Sequence, residues 1–202
     1  MVKYMGGQYY QPIDNVYQEA ITNDWLKNRR IWFNEEVDEI SVTKTIYSLN
    51  KLKKIDELNK IPMKDRQPIT IIQNSPGGLC YQGFMLCSVI ESMVNEGYNI
   101  ISITGGMSAS MSFLIGLCAK TKKCYSYSSF LCHQPSGGML GEAVKMKRES
   151  DELDRLWELS KQVIKKHSKM SDELLNRIYN ESLDYIIEPS QALELGIVDE
   201  II

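Results

Sequence analysis

The stretch Ile69-Thr-Ile-Ile-Gln-Asn-Ser-Pro-Gly-Gly78 decides the fold. Its first half is a short, β-branched apolar run of the kind that fills a buried strand, and it stops at Pro76-Gly77-Gly78, where a tight turn is expected. Residues from about Tyr81 to Gly97 then read as a helix. The same unit follows at once: Ile100-Ile-Ser-Ile-Thr104 is strand-like, Gly105-Gly106 reads as its turn, and Ser110 to Ala119 reads as an apolar helix. Successive β-turn-α units predict an α/β chain with a mainly parallel sheet and helices packed on it.

Upstream of this pair, Val42, Ile46, Leu49, Leu52, Ile55 and Leu58 recur at helical spacing, with Ser41 placed to cap the helix. Downstream, Cys124–Tyr127 and Phe130–His133 read as two short strands. Gly137-Gly138 then leads into a long charged helix from about Glu142 to Lys169. Ser171 is placed to cap a helix running to about Glu181. A Tyr185–Ile187 strand, a Pro189–Leu195 helical turn and an Ile197–Ile202 strand complete the pattern. One domain over residues 29–202 is expected, preceded by a segment 1–28 rich in Tyr, Gln and Asn.

Composition narrows the function. With 202 residues and 43% hydrophobic content the chain is long enough for a real core. A net charge of -3 with no Lys/Arg cluster argues against nucleic acid as a partner. No run approaches the roughly 18 to 20 apolar residues of a membrane span, and MVKYMGGQYYQP lacks the apolar centre of a signal peptide, so no membrane association and a cytoplasmic protein are expected. Cys80, Cys87, Cys118, Cys124 and Cys132 are odd in number and sit in apolar segments, which predicts reduced, buried thiols. None forms a C-x-x-C pair and only two histidines exist, so no metal is expected.

Ser110 falls at a strand–helix junction. There a hydroxyl points out of the turn and free helix N–H groups can hold an oxyanion, the setting of an activated serine. A plain N-cap explains the same position, and Ser108 and Ser112 compete for it. A serine nucleophile needs a base, and the choice lies between His133 and His167. His167 lies among Lys165, Lys166 and Lys169 near a helix C-terminus, where the helix dipole accounts for it. His133 ends a strand beside Gln134-Pro135-Ser136-Gly137-Gly138, a rim position suited to a base. Spacing alone selects no acid from 26 carboxylates. Neither G-x-S-x-G nor a nucleotide-binding glycine loop is present.

These motifs resemble those of the ClpP peptidases, and in that family's order. Asn74-Ser75-Pro76-Gly77-Gly78 resembles its NSPGG turn, Gly106-Met107-Ser108-Ala109-Ser110-Met111 its nucleophile segment, and His133-Gln134-Pro135-Ser136-Gly137-Gly138 its base segment. The likeness runs from about Arg29 to the last residue and includes Asp184-Tyr-Ile-Ile-Glu-Pro-Ser-Gln-Ala192 with Gly196-Ile-Val-Asp199.

The resemblance implies a ClpP/crotonase-like fold with a protruding long helix, and a serine endopeptidase. Ser110 would be the nucleophile, His133 the base, Asp184 the orienting acid, and the Gly78 and Met111 N–H groups the oxyanion hole. It also implies heptameric rings, two of them stacked, that degrade unfolded polypeptides. A separate AAA+ unfoldase would use ATP, and the subunit itself would need no cofactor. The segment 1–28 would be flexible or axial, and an organellar matrix or plastid is the alternative location if a presequence was removed. Ser108 stands where the family has alanine, Ser112 where it has glycine, and Pro189 is displaced by one residue. These departures keep a catalytically silent ring subunit in play. A crotonase-like acyl-CoA enzyme and a phage capsid-maturation protease are further alternatives on the same fold.

Overall fold

The computed structural model describes residues 20, 21, 23–138 and 140–202; residues 1–19 and 22 of the segment expected to be flexible or axial lie outside them. The apolar run that opened the sequence reading is strand β2 (Ile69–Ser75), whose buried residues alternate with the half-buried Thr70 and Ile72 and the exposed Asn74. It pairs in parallel with β1 (Arg30–Phe33) on one side and β3 (Ile100–Ala109) on the other. The crossovers are helices α1 (Glu39–Leu58) and α2 (Cys80–Asn95). Each buries one stripe, through Val42, Leu49 and Leu52 in α1 and through Leu86, Ile90 and Met93 in α2. Every such side chain removed from water contributes about 1.5–3 kcal/mol.

Helix α3 (Met111–Leu117) follows β3 directly. Then come β4 (Thr121–Cys124), β5 (Ser129–Cys132), the long α4 (Ala143–His167), α5 (Asp172–Asn180), β6 (Tyr185–Ile187), α6 (Pro189–Glu194) and β7 (Glu200–Ile201). Among the described residues the sheet has seven strands in the order β1-β2-β3-β4-β7, with β5 pairing β3 and β6. All pairings are parallel except β5 with β6. The expected mainly parallel α/β architecture is the one the chain adopts.

Four local expectations are corrected. The strand expected at Cys124–Tyr127 lies earlier, at Thr121–Cys124, because the chain turns after it, with Ser128 N donating to the Tyr125 carbonyl at 3.0 Å. Asp38, not Ser41, caps α1: its carboxylate accepts from Ser41 N at 2.7 Å while Ser41 Oγ accepts from Asp38 N at 2.9 Å, a reciprocal capping box with Ser41 one turn in. Gly105-Gly106 is no turn. β3 runs straight through it, and between the Gln73↔Thr104 and Ser75↔Ser108 pairings the glycines form a bulge. The last strand covers only Glu200–Ile201, because Ile197 and Val198 are buried in the turn that precedes it.

The long helix divides in two. Leu156, Trp157 and Ile164 pack into the core, whereas Val144 and Met146 in its first turns, and Leu140 just before them, are exposed, so its N-terminal part protrudes. All five cysteines are free and four are buried.

Candidate active site

The elongated β3 builds the site by changing partners. Its first half, Ile101–Thr104, pairs with β4, and its second half, Met107–Ala109, pairs with β5. Because β5 runs parallel to it, both strands end at the same rim, carrying Ser110 one residue past β3 and His133 one residue past β5. β6 then runs antiparallel to β5 with Cys132 opposite Tyr185, so the next facing residues are His133 and Asp184. Register alone brings together three residues spread over more than seventy positions.

Ser110 is held in an unusual backbone conformation, φ 54 and ψ −123, at the start of α3. A non-glycine residue there costs about 1–3 kcal/mol and persists only where its surroundings enforce it. Its N–H donates to the Leu131 carbonyl at 2.9 Å, fixing the bend to β5. Its hydroxyl makes no capping bond among the described residues, so the N-cap alternative loses its defining contact. Ser108, the rival, is buried, and its hydroxyl lies 3.5 Å from that of Ser112. Gln73 Nε2 donates to the Ser112 carbonyl at 3.3 Å, and Ser102 Oγ donates to Gln73 Oε1 at 2.8 Å. The two serines that depart from the family pattern thus join a buried polar network beneath the bend.

The Pro76–Gly78 turn closes over Ser110. At Gly77, φ is +93 and a Cβ would fall 2.6 Å from both the Ala109 carbonyl oxygen and Ser110 Cβ. At Gly78 a Cβ would fall 2.4 Å from the Val37 carbonyl oxygen. Val37 clamps the turn by donating to Gly77 O at 2.8 Å and accepting from Leu79 N at 2.7 Å. Among the described residues neither the Gly78 N–H nor the Met111 N–H is engaged in a backbone hydrogen bond.

Ser110 and His133 line one narrow slot of about 20 Å³, walled by Phe113, Leu114, Trp157 and Ile164. No Ser110–His133 hydrogen bond forms among the described residues. His133 Nδ1 lies 3.6 Å from Asp184 Oδ1, within ion-pair reach and beyond a good hydrogen bond. Asp184 is exposed, with 74% of its side chain in contact with solvent, whereas His133 is three-quarters buried. A second, wider cleft, lined by both His133 and Asp184, reaches Tyr179 and Ser182.

Two thiols also face the slot. Burial pushes the Cys132 thiol up to about 12 and raises that of Cys80, so neither offers a thiolate near neutral pH. The slot is therefore suited to an oxygen nucleophile. Trp157 was not singled out for the site by sequence reasoning; its place on the apolar stripe of α4 is the only signal that marks it as inward-facing.

Comparison with known proteins gives the family. A family model described as Clp protease matches residues 14–202. The ATP-dependent Clp protease proteolytic subunit of Porphyromonas gingivalis is 28% identical over 190 residues, covering 93% of this chain and 80% of the relative. Proteolytic subunit 2 of Parasynechococcus marenigrum is 29% identical over 181 residues, covering 88% and 84%. Proteolytic subunit 1 of Prochlorococcus marinus is 30% identical over 179 residues, covering 87% and 84%. With its turn, serine and histidine segments in register at one sheet rim and the family model spanning nearly its whole length, the chain belongs to the Clp protease family.

Proposed function

We propose that the chain is a serine endopeptidase subunit of a chambered, ATP-dependent Clp-type protease acting on unfolded polypeptides. The observation that carries this reading is the enforced φ 54 bend at Ser110, facing a slot it shares with His133. Ser110 Oγ attacks the peptide carbonyl carbon and passes its proton to His133 Nε2, the nitrogen turned away from Asp184. The Gly78 and Met111 N–H groups receive the oxyanion. The C–N bond then breaks, His133 returns its proton to the leaving amine, and water repeats the sequence to free the acyl chain. Asp184 holds the imidazole tautomer and steadies its positive form. Hydrolysis in this scheme needs no cofactor.

Ring assembly into stacked heptamers belongs to the same reading. Its support is the protruding start of α4, where Val144 and Met146 face solvent on a helix whose remainder is packed. A separate AAA+ unfoldase would spend the ATP. Five unpaired cysteines suit a reducing compartment, so we place the protein in the cytoplasm, with an organellar matrix as the alternative.

Two observations favour a silent ring subunit instead: the 3.6 Å gap between His133 and Asp184, and the lack of a Ser110–His133 hydrogen bond among the described residues. Catalytic contacts often tighten only with substrate, so the gap does not remove activity. The acyl-CoA alternative gains nothing from the slot, whose described lining contains no Lys or Arg for a nucleotide phosphate.

The test compares degradation of one stable substrate, folded and unfolded, by wild type and Ser110→Ala, with and without a Clp unfoldase and ATP. The reading expects peptides and unfolded chains to be cut by wild type alone, folded substrate only with unfoldase and ATP, and nothing by the variant. Rapid ATP-independent digestion of the folded substrate overturns the chamber, and an inert wild type favours the silent subunit.

A further inference from the structure

At the far end of α3 from Ser110, about 12 Å along the helix at 1.5 Å per residue, a second cluster forms that hydrolysis does not use. Cys118 ends α3, Cys87 and Glu91 stand one turn apart on α2, and His167 is the last residue of α4. One donor atom each from Glu91, Cys118 and His167 lies within 4.8 Å of the other two. Glu91 meets His167 Nε2 at 2.5 Å through Oε1 and Lys166 Nζ at 2.8 Å through Oε2. The Cys87 thiol lies against Cys118 and, with burial, pushes the Cys118 thiol well above its ordinary 9.0.

A surface ion pair accounts for Glu91 with His167 and Lys166. It does not account for the buried Cys118 thiol, which reaches the same point from a third helix. We propose that Glu91, Cys118 and His167 form a three-donor binding site for a divalent transition-metal ion of the zinc class, with the fourth position left to water. Mixed sulfur, imidazole and carboxylate donors are the set such an ion takes. Tetrahedral bonds of about 2.0–2.3 Å put donor atoms roughly 3.3–3.8 Å apart, so the cluster contracts by about 1–1.5 Å at most to close on the ion. One thiolate and one carboxylate carry two negative charges that offset the two positive charges of the ion, with the His167 imidazole neutral. Lys166 keeps its bond to Glu91 as an outer partner that orients the ligand. The ion enters from the surface, because Cys118 and His167 line one groove and Cys87 and Glu91 another. Bound there, it ties α2, α3 and α4 together outside the peptidase slot. Sequence spacing hides this site, since its donors come from three separate helices.

The experiment titrates the full, reduced chain with Co²⁺ and then Zn²⁺. One Co²⁺ per chain should give thiolate-to-cobalt charge-transfer and tetrahedral d–d bands, displaced by Zn²⁺. The bands should vanish in Cys118→Ser, and His167→Gln should weaken affinity by roughly 10-fold or more. Cys80→Ser and Ser110→Ala should bind as wild type. Circular dichroism checks the fold of each variant, and if Cys118→Ser is unfolded, His167→Gln carries the test. The absence of stoichiometric bands in the wild type, or bands that survive unchanged in His167→Gln, overturns the proposal.

Discussion

Gly77→Ala places a methyl group where the structure has no room. The new Cβ would sit 2.6 Å from the Ala109 carbonyl oxygen and from Ser110 Cβ, and 3.0 Å from Met111 N, all on the serine bend itself. The φ of +93 adds a backbone penalty. A left-handed conformation costs an L-residue about 1–2 kcal/mol and overpacking about 1–3 kcal/mol, so the expected loss is about 2–5 kcal/mol. None of the three neighbours is a flexible side-chain end, so the strain must move the turn or Ser110. Urea unfolding reads the stability loss, and kcat/KM on a short peptide, normalised to folded protein, reads the displacement. Both should fall. Gly138→Ala is the matched control: a Cβ there meets nothing within 4 Å, and the change should stay within about 0.5 kcal/mol of wild type. If Gly77→Ala were as stable and active as wild type, the turn would not be packed against Ser110 as described. If stability fell while the folded fraction kept full activity, the turn would be unconnected to the chemistry.

Three further outcomes follow from the structure. Asp184→Asn should lower kcat/KM by about 10²- to 10⁴-fold with little change in stability, because in the proposed mechanism the side chain orients His133 while it stands largely in solvent; unchanged kinetics would remove Asp184 from the site. Asp56→Ala strips the bidentate partner, at 2.9 and 2.8 Å, from the buried Arg29 guanidinium and should cost about 3–5 kcal/mol in denaturant unfolding, a loss that a variant within 1 kcal/mol of wild type would contradict. Arg155 and then Tyr81 hold the Glu152 carboxyl down to about 2. A lowered carboxyl stabilises the fold above its ordinary 4.5 and loses that contribution as pH falls toward about 2. The small stability difference between wild type and Glu152→Gln should therefore be constant above pH 4.5 and vanish on acidification; a difference that grew in acid would contradict the assignment.

The alternation of apolar strands with helices was legible because each unit buries its own face locally, as β2 and α2 do. What escaped was set by partners distant in sequence. Gly105-Gly106 looks like a turn, but Met107 N donates to Asn74 Oδ1 at 3.0 Å and a Cβ on Gly106 would meet that oxygen at 2.7 Å, so a side chain on β2 keeps β3 running through a bulge. Ser110 and His133 could be marked from their junctions, since a strand end beside glycines is a local signal. Asp184 could not, because only the antiparallel register of β6 on β5 brings it to His133, and before the resemblance it was one carboxylate among 26. The Ser108, Ser112 and Gln73 network was equally invisible: nothing along the chain says that hydroxyls two residues to either side of Ser110 meet below it.

The central claim is that Ser110 is an activated nucleophile. It is tested most directly by treating the purified chain with a fluorophosphonate or β-lactone probe and locating the adduct by peptide mass spectrometry. The account predicts a single adduct on Ser110 Oγ, absent in Ser110→Ala and strongly slowed in His133→Ala. Failure of the folded, assembled protein to be labelled, or an adduct on Ser108 or a cysteine that persists in Ser110→Ala, would contradict it.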